Sequence, residues 1–390
     1  MKKAYFNLIL FFFLFCTFIF TPHIVQAQVA GRENPRQWRM AFERGKVMFR
    51  QKDFGNAFTS FNDAKRLKRT YFESLERNFI DLLSINEVRR MGDSLDWVER
   101  YINERHYAGA ADALEELYYY IPRDTFNNSA KAALEAFGKL KDFPDAEKWI
   151  GEIYFVEGEW DLALAQFQKA HSLNQLNEEP DFSTDLLYKI AHIRRIRREY
   201  NEMERVLLSI LKSDRLWTMS QDENPSGISR SFIRQAMTRT LTNKGPNQFI
   251  LQYRYRNDES NEAHRLLGFY YYLSGRHRGR AHEHLMFSFL IQNTVIIEEL
   301  RRLRFDYTFI DLDNLAVEIN RNPQLSEYAL KNEYYKTAYY LAVCLYAEGN
   351  TSSALELWGF LSRQIPAGEW RNRSIAQLRS PYLEPAVEMP

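Results

Sequence analysis

The sequence predicts an all-α fold made of stacked helical hairpins, and three observations predict it. One pattern of small and aromatic residues recurs six times, most clearly as Gly151, Tyr154, Gly158, Trp160, Ala163, Phe167 and Ala170. Recurrence at fixed offsets is how an array of similar supersecondary units reads in sequence. Apolar residues between the copies keep helical spacing, and nothing resembles a strand-rich domain.

The spacing has a physical reason. A glycine inside a helix costs about 1 kcal/mol against alanine, so Gly151 needs a packing role. A second helix approaching closely there supplies one, with Ala163 and Ala170 as matching small surfaces and Trp160 and Phe167 filling the space between hairpins. In chain order, the first copy reads Gly45, Met48, Phe54, Ala57, Phe61, Ala64. The second reads Val98, Tyr101, Tyr107, Ala110, Leu114, Leu117 and closes on Pro122, which cannot continue a helix. After the Gly151 copy come two worn ones, Ala191, Tyr200, Met203, Leu207, Ile210 and Gly268, Tyr271, Gly275, Ala281, Leu285, the latter with one residue inserted in its turn. The last reads Ala342, Leu345, Gly349, Ala354, Trp358, Leu361, with Pro366 closing it. Gly45, Ala57, Ala110, Gly151, Ala163, Ala170 and Ala354 are therefore the candidate repeat-packing residues.

These copies resemble the tetratricopeptide repeat (TPR) family. The resemblance implies a right-handed α-solenoid. Ala57, Ala110 and Ala163 are 53 residues apart, against a family period of about 34, and the excess of about 19 residues is one extra helix per copy. Tyr71 to Arg90 and Ser129 to Leu140 are expected to supply such helices, and Val295 to Leu303 and Ile310 to Ile319 two more. In the family the first helix of each hairpin lines a concave groove. The matching positions here are Phe42, Lys46 and Phe49, then Lys148, Glu152 and Phe155, then Tyr339, Val343 and Tyr346. The runs Tyr118-Tyr119-Tyr120, Tyr270-Tyr271-Tyr272, Tyr334-Tyr335 and Tyr339-Tyr340 spread over whole helix circumferences, so some of these rings are expected to face solvent or a partner. Phe49, Lys148, Glu152, Phe155, Tyr272, Tyr339 and Tyr346 form the candidate partner-binding set. Family members that clamp a C-terminal carboxylate carry Lys followed four residues later by Asn, and that pattern is missing here. An aromatic groove for a helix or an extended segment is expected instead.

Met1-Lys2-Lys3 precedes an uncharged apolar run, Ala4 to Phe20, and Val25-Gln26-Ala27 presents small residues where a signal peptidase reads. Residues 1–27 are expected to be a cleaved export signal, and the chain a periplasmic one. An uncleaved inner-membrane anchor at residues 4–20 is the alternative, and lipidation at Cys16 is disfavoured by the bulky Phe15 before it. A tether at 28–36, an N-terminal array at 37–219, a loop at 220–229, a C-terminal array at 230–379 and an irregular tail at 380–390 follow. Turn residues Gly245-Pro246 interrupt the second array.

The chain has 52 Lys and Arg against 51 Asp and Glu, and cleavage would remove Lys2 and Lys3, so electrostatic attraction to nucleic acid or anionic lipid is not expected. Cys344 is the cysteine left after cleavage, a small buried hydrophobe inside an apolar helix. With 45% apolar and 15% aromatic residues the chain can build a core without disulfides. That suits a bacterial envelope compartment.

Chemistry-bearing patterns are few. His277, His282 and His284 suggest a metal site, but His282 and His284 lie two apart on a helix, pointing to different faces, and Arg276, Arg278 and Arg280 would repel a cation. Arg194 to Arg198 and Arg301 to Arg304 are expected to end helices and pair with acidic neighbours. Glu115-Glu116, Glu178-Glu179 and Glu298-Glu299 are adjacent in sequence, so they do not converge as a glycosidase pair. No phosphate loop, nucleophile elbow or His-Glu-x-x-His run occurs. The expectation is a scaffold without catalysis, metal, cofactor or small-molecule substrate, whose partners are other envelope proteins. Exported family members suggest the periplasmic flagellar collar or, alternatively, outer-membrane protein assembly. A non-catalytic part of a cell-wall lytic enzyme is the third option.

Overall fold

The computed structural model describes residues 36–83, 138–173, 182–218, 230–275 and 278–384, with Arg100 and Leu176. Every regular element among them is helical. The export segment, the copy carrying Ala110, the first tyrosine run, the 220–229 loop and His277 fall outside the described residues. The chain divides into two compact units at the Ile153–Tyr154 bond.

In the first unit, α1 (Arg36–Arg50) and α2 (Phe54–Leu83) form a hairpin, followed by the start of α3 (Pro144–Glu157). At Gly45 α1 lies directly against α2. A Cβ there would lie 2.6 Å from the Phe61 ring, so any larger residue would push the helices apart. Trp38 and Phe42 then pack on Phe143, with centroids 5.1 and 4.8 Å away. Lys68 is buried with its ammonium 4.3 Å from the Phe143 centroid, a cation held over an aromatic face. The extra helix expected from Tyr71 is not separate. Its described part continues α2 to Leu83, because no proline or cap interrupts the chain after Ala57.

The second unit continues with α4 (Trp160–Ser172), α5 (Phe182–Ile196), α6 (Tyr200–Ile210) and the short α7 (Arg215–Thr218). Then come α8 (Arg230–Gln252), α9 (Asp258–Leu273) and α10 (Arg278–Leu303). The C-terminal part holds α11 (Leu312–Arg321), α12 (Pro323–Lys331), α13 (Tyr334–Ala347), α14 (Thr351–Ser362) and α15 (Glu369–Arg379). Hairpin α5/α6 touches α9/α10 through α6 on α9, and α9/α10 touches α13/α14 through α10 on α13. Val295 to Leu303 belongs to the single long α10 rather than to an added helix. Within α8, Gly245 at φ 82° breaks the helix before Pro246, the turn expected from those two residues.

One turn geometry recurs. Lys52, Gly158, Arg198 and Gly349 all have positive φ, and each stands two residues before a second helix begins. The residue after each donates its N–H five residues back: Asp53 to Met48, Glu159 to Tyr154, Glu199 to Arg194 and Asn350 to Leu345, at 2.8 to 3.0 Å. The positive-φ residue itself donates three back. This pair of bonds satisfies the last carbonyls of the first helix and turns the chain at a fixed angle. Glycine adopts the conformation without steric strain, whereas Lys52 and Arg198 accept some. Gly275 also has positive φ but stands three residues before α10, the extra turn residue expected for that copy.

Other helix starts are capped by side chains. Asn257 accepts from the Ser260 N–H, Asp311 from Asn314, and Asn322 from Gln324 and Leu325 ahead of Pro323. The centre of the unit is formed by α9, α10 and α13. Several polar residues of α10 buried there make specific bonds: Ser288 donates to Asn261, Gln292 to the Asn332 carbonyl, and Tyr334 of α13 donates to Asn293 at 3.0 Å. Ala163, Phe167 and Ala170 pack with Leu186, Ile190 and Ile193 across α4 and α5. Replacing the fully buried Ala163 by Leu should overpack this contact and lower stability by about 1 to 3 kcal/mol, while Glu157→Ala should stay within about 0.5 kcal/mol in the same denaturation assay.

Candidate functional site

Pro381 prevents α15 from continuing, since it lacks an N–H and disfavours helix in the residue before it. The helix ends at Arg379, and Pro381 to Glu384 run without regular structure, as expected of the tail. They do not run free. Gln377, wholly buried in the last turns of α15, accepts from the Tyr382 N–H at 2.9 Å and donates to the Tyr382 carbonyl at 3.1 Å. That is the donor and acceptor pair a neighbouring strand would offer. Glu384 is the tail residue that goes inward, and it is 4% exposed. Its carboxylate accepts from the Tyr339 hydroxyl of α13 and from Arg373 of α15 at 2.6 Å, while its carbonyl accepts from the Tyr272 hydroxyl of α9 at 3.0 Å. The Tyr346 hydroxyl reaches the Pro381 carbonyl at 3.5 Å.

The aromatics hold the cation. The Arg373 guanidinium stands 5.2 Å from the Tyr339 centroid and 5.0 Å from that of Trp370, while Trp370 packs on Tyr340. Burial and then the bond to Glu384 push the Tyr339 phenol well above its usual range, so it remains a donor. Burial works against the charge of Arg373, but Glu384 and the two tyrosines outweigh it and raise the guanidinium's pKa. Together these groups bind an extended backbone and a carboxylate.

Three of the seven groove candidates, Tyr272, Tyr339 and Tyr346, meet on this tail. Their exposure is a correction. Tyr272 and Tyr339 are buried, as are Tyr270, Tyr271, Tyr334, Tyr335 and Tyr340, because α9 and α13 are surrounded by neighbouring helices and by the tail. Val343 is also fully buried. Phe155 is half-buried against Trp160, Phe167 and His192, with the Lys189 ammonium 5.2 Å above its ring. In the first unit Phe42 is buried, and Phe49 packs between Phe54 and Trp149. Lys148 and Glu152 are half-buried on α3.

A second constellation lies in the core. His264 of α9 and His284 of α10 are fully buried, with their Nδ1 atoms 2.9 Å apart. On the far side of His264, Nε2 faces Asp214 at 3.5 Å. Asp214 also accepts from the Tyr255 hydroxyl and from the Trp217 N–H, which starts α7. Burial works to raise the Asp214 pKa, but hydrogen bonds from His264, Tyr255, Ser260 and Trp217 prevail and hold it well below the carboxylate range. Burial lowers His264, and burial with His264 beside it lowers His284 far more. An ionised carboxylate thus lies in the core beside two imidazoles on which burial disfavours a proton. Asp214 and His264 escaped the sequence reading, since 50 residues separate them; the signal was Asp214 three residues ahead of Trp217, a helix-start pattern.

His282 instead meets Glu348 at 2.7 Å, so His282 and His284 take different partners. Arg280 lies over Tyr271 and reaches Glu204. The two basic runs pair with acids, Arg194 and Arg197 with Glu199, Arg302 with Glu299 and Arg304 with Glu318. Glu298 pairs with Arg256, away from its sequence neighbour's partner.

No protein-family model matches the chain. An uncharacterized protein of Treponema pallidum (strain Nichols) is 22% identical over 333 residues, spanning 85% of this chain and 87% of that protein.

Proposed function

We propose that this chain is a non-catalytic, TPR-like scaffold of the bacterial envelope that holds segments of other proteins. The cleft around Tyr272, Tyr339, Arg373 and Gln377 carries the reading, because it already holds an extended segment through backbone and carboxylate contacts. The recurring turn at Lys52, Gly158, Arg198 and Gly349 supports a chain built of similar hairpins. The leader supports export to the periplasm, and the proposed assembly is the periplasmic flagellar collar. Catalysis has no part in the reading.

The test is a tagged chain expressed at native level, purified from the envelope fraction with its partners identified by mass spectrometry. Mature protein beginning at Gln28 with flagellar-motor partners is the expected result. Partners from the outer-membrane assembly machinery would replace the collar by the alternative. Recovery from the cytoplasm, with Met1 or Lys2 at its N-terminus and no envelope partner, would reject the envelope scaffold.

A further inference from the structure

We infer that the C-terminal cleft is a docking site for an extended segment of a partner protein that presents one glutamate, and that residues 381–384 occupy it in cis as a resident competitor. The inference rests on the scaffold reading and names the chemistry of its ligand. Its basis is what the tail buries. A segment that served only to cover apolar surface would bury its apolar side chains. Here Tyr382 and Leu383 stay 43% and 52% exposed, and the charged Glu384 is the residue driven inward.

Every contact with the tail uses a feature that another chain could supply. Gln377 reads only backbone, pairing with the N–H and the carbonyl of one residue. The Tyr272 and Tyr346 hydroxyls can donate to any main-chain carbonyl in the right place. Side-chain selectivity is concentrated at the carboxylate, held between the Tyr339 hydroxyl and the Arg373 guanidinium, with the neighbouring Tyr382 hydroxyl donating to it more weakly at 3.4 Å. Charge-assisted bonds of this kind are stronger than neutral ones and have strict geometry. Aspartate, one methylene shorter, would not reach both donors from the same backbone position. Backbone pairing for affinity with one buried side chain for specificity is how strand-like peptides are generally recognised.

Cis occupancy has a calculable effect. A ligand that needs the empty cleft binds with its intrinsic affinity multiplied by the fraction of chains whose tail is out. Weakening the tail must therefore strengthen binding of the same sequence added in trans. The probe is a fluorescein-labelled peptide of residues 380–386, acetylated and amidated so that it offers no terminal carboxylate, titrated into purified full-length chain by anisotropy. Glu384→Ala in the chain should bind it about tenfold tighter than wild type. Adding Arg373→Ala to that variant should abolish the gain, and peptides with Gln or Asp at the glutamate should bind at least about tenfold more weakly.

Equal affinity for wild type and Glu384→Ala would overturn the competition, and binding indifferent to Arg373 or to the peptide's glutamate would overturn the site. Loss of helical circular dichroism in Glu384→Ala would also overturn it, by making the tail a structural cap. The titration uses purified protein alone, so it can fail while the envelope partners are recovered, and it can succeed if they are not.

Discussion

Acidification from pH 7.5 to 5.5 should destabilise the second unit steeply, and the cause is the His264–His284 pair. Both imidazoles have folded pKa values below the ordinary value of about 6.5. The sign follows from proton counting. Below about pH 6.5 the unfolded chain binds protons that the folded chain refuses, so stability falls as pH falls, until the lowered folded pKa is reached. Each such group contributes a slope of up to about 1.4 kcal/mol per pH unit in that window. His284 meets His264, Tyr271 and Trp217, with Arg280 and Arg234 adding positive potential, so nothing near it welcomes a proton. Asp214 runs the other way in cause but not in sign: its lowered pKa contributes stability above about pH 4 that is lost only in stronger acid. Urea midpoints at pH 7.5, 6.5 and 5.5 measure the effect, and His284→Leu should flatten the profile by at least about half, since His284 is the more strongly lowered of the two. A flat wild-type profile would mean that the imidazoles are not buried as described.

Replacing Trp358 by Ala should lower stability by about 3 to 5 kcal/mol, the range for deleting a buried large aromatic. Trp358 is a motif residue of the last hairpin, fully buried on α14, and its ring lies 5.6 Å from that of Tyr346. Trp358→Phe should cost far less than the alanine change. The indole Nε1 is buried without a hydrogen-bond acceptor, so phenylalanine removes an unsatisfied donor while keeping much of the ring. Because Tyr346 also touches the Pro381 carbonyl, the alanine variant should loosen the tail as well, read as faster amide exchange at Tyr382. A neutral Trp358→Ala would show that the α13/α14 packing is not as described.

Particular residues show how far the sequence could be read. Gly45 and Gly268 were legible as close approaches, because a buried helical glycine has few other uses, and at each a Cβ would come within 2.6 Å of a side chain on the facing helix. The inserted turn residue near Gly275 was legible from a one-residue change in offset. The extra helix at Tyr71 was misread, since an excess of about 19 residues does not say whether a new helix starts or an old one continues. Tyr272, Tyr339 and Tyr346 stood among seven candidates for an open groove, yet Tyr272 and Tyr339 are buried. The sequence contains seven tyrosines in the runs at 270–272, 334–335 and 339–340, and helical spreading alone would expose some of them. It carried no sign that Glu384 would fold back onto them.

What the sequence by itself determined is the local part: the helices, the left-handed turn residues, the side-chain caps and the small residues where helices touch. Those depend on contacts within a few residues of one another, which periodicity and turn chemistry encode directly. What only the tertiary structure decided is which surfaces remained open. Tyr272 and Glu384 are 112 residues apart, and Asp214 and His284 are 70 apart, so no local pattern links them. A side chain's environment is set by everything packed around it, and here a short C-terminal segment covers tyrosines that helical spreading alone would leave open.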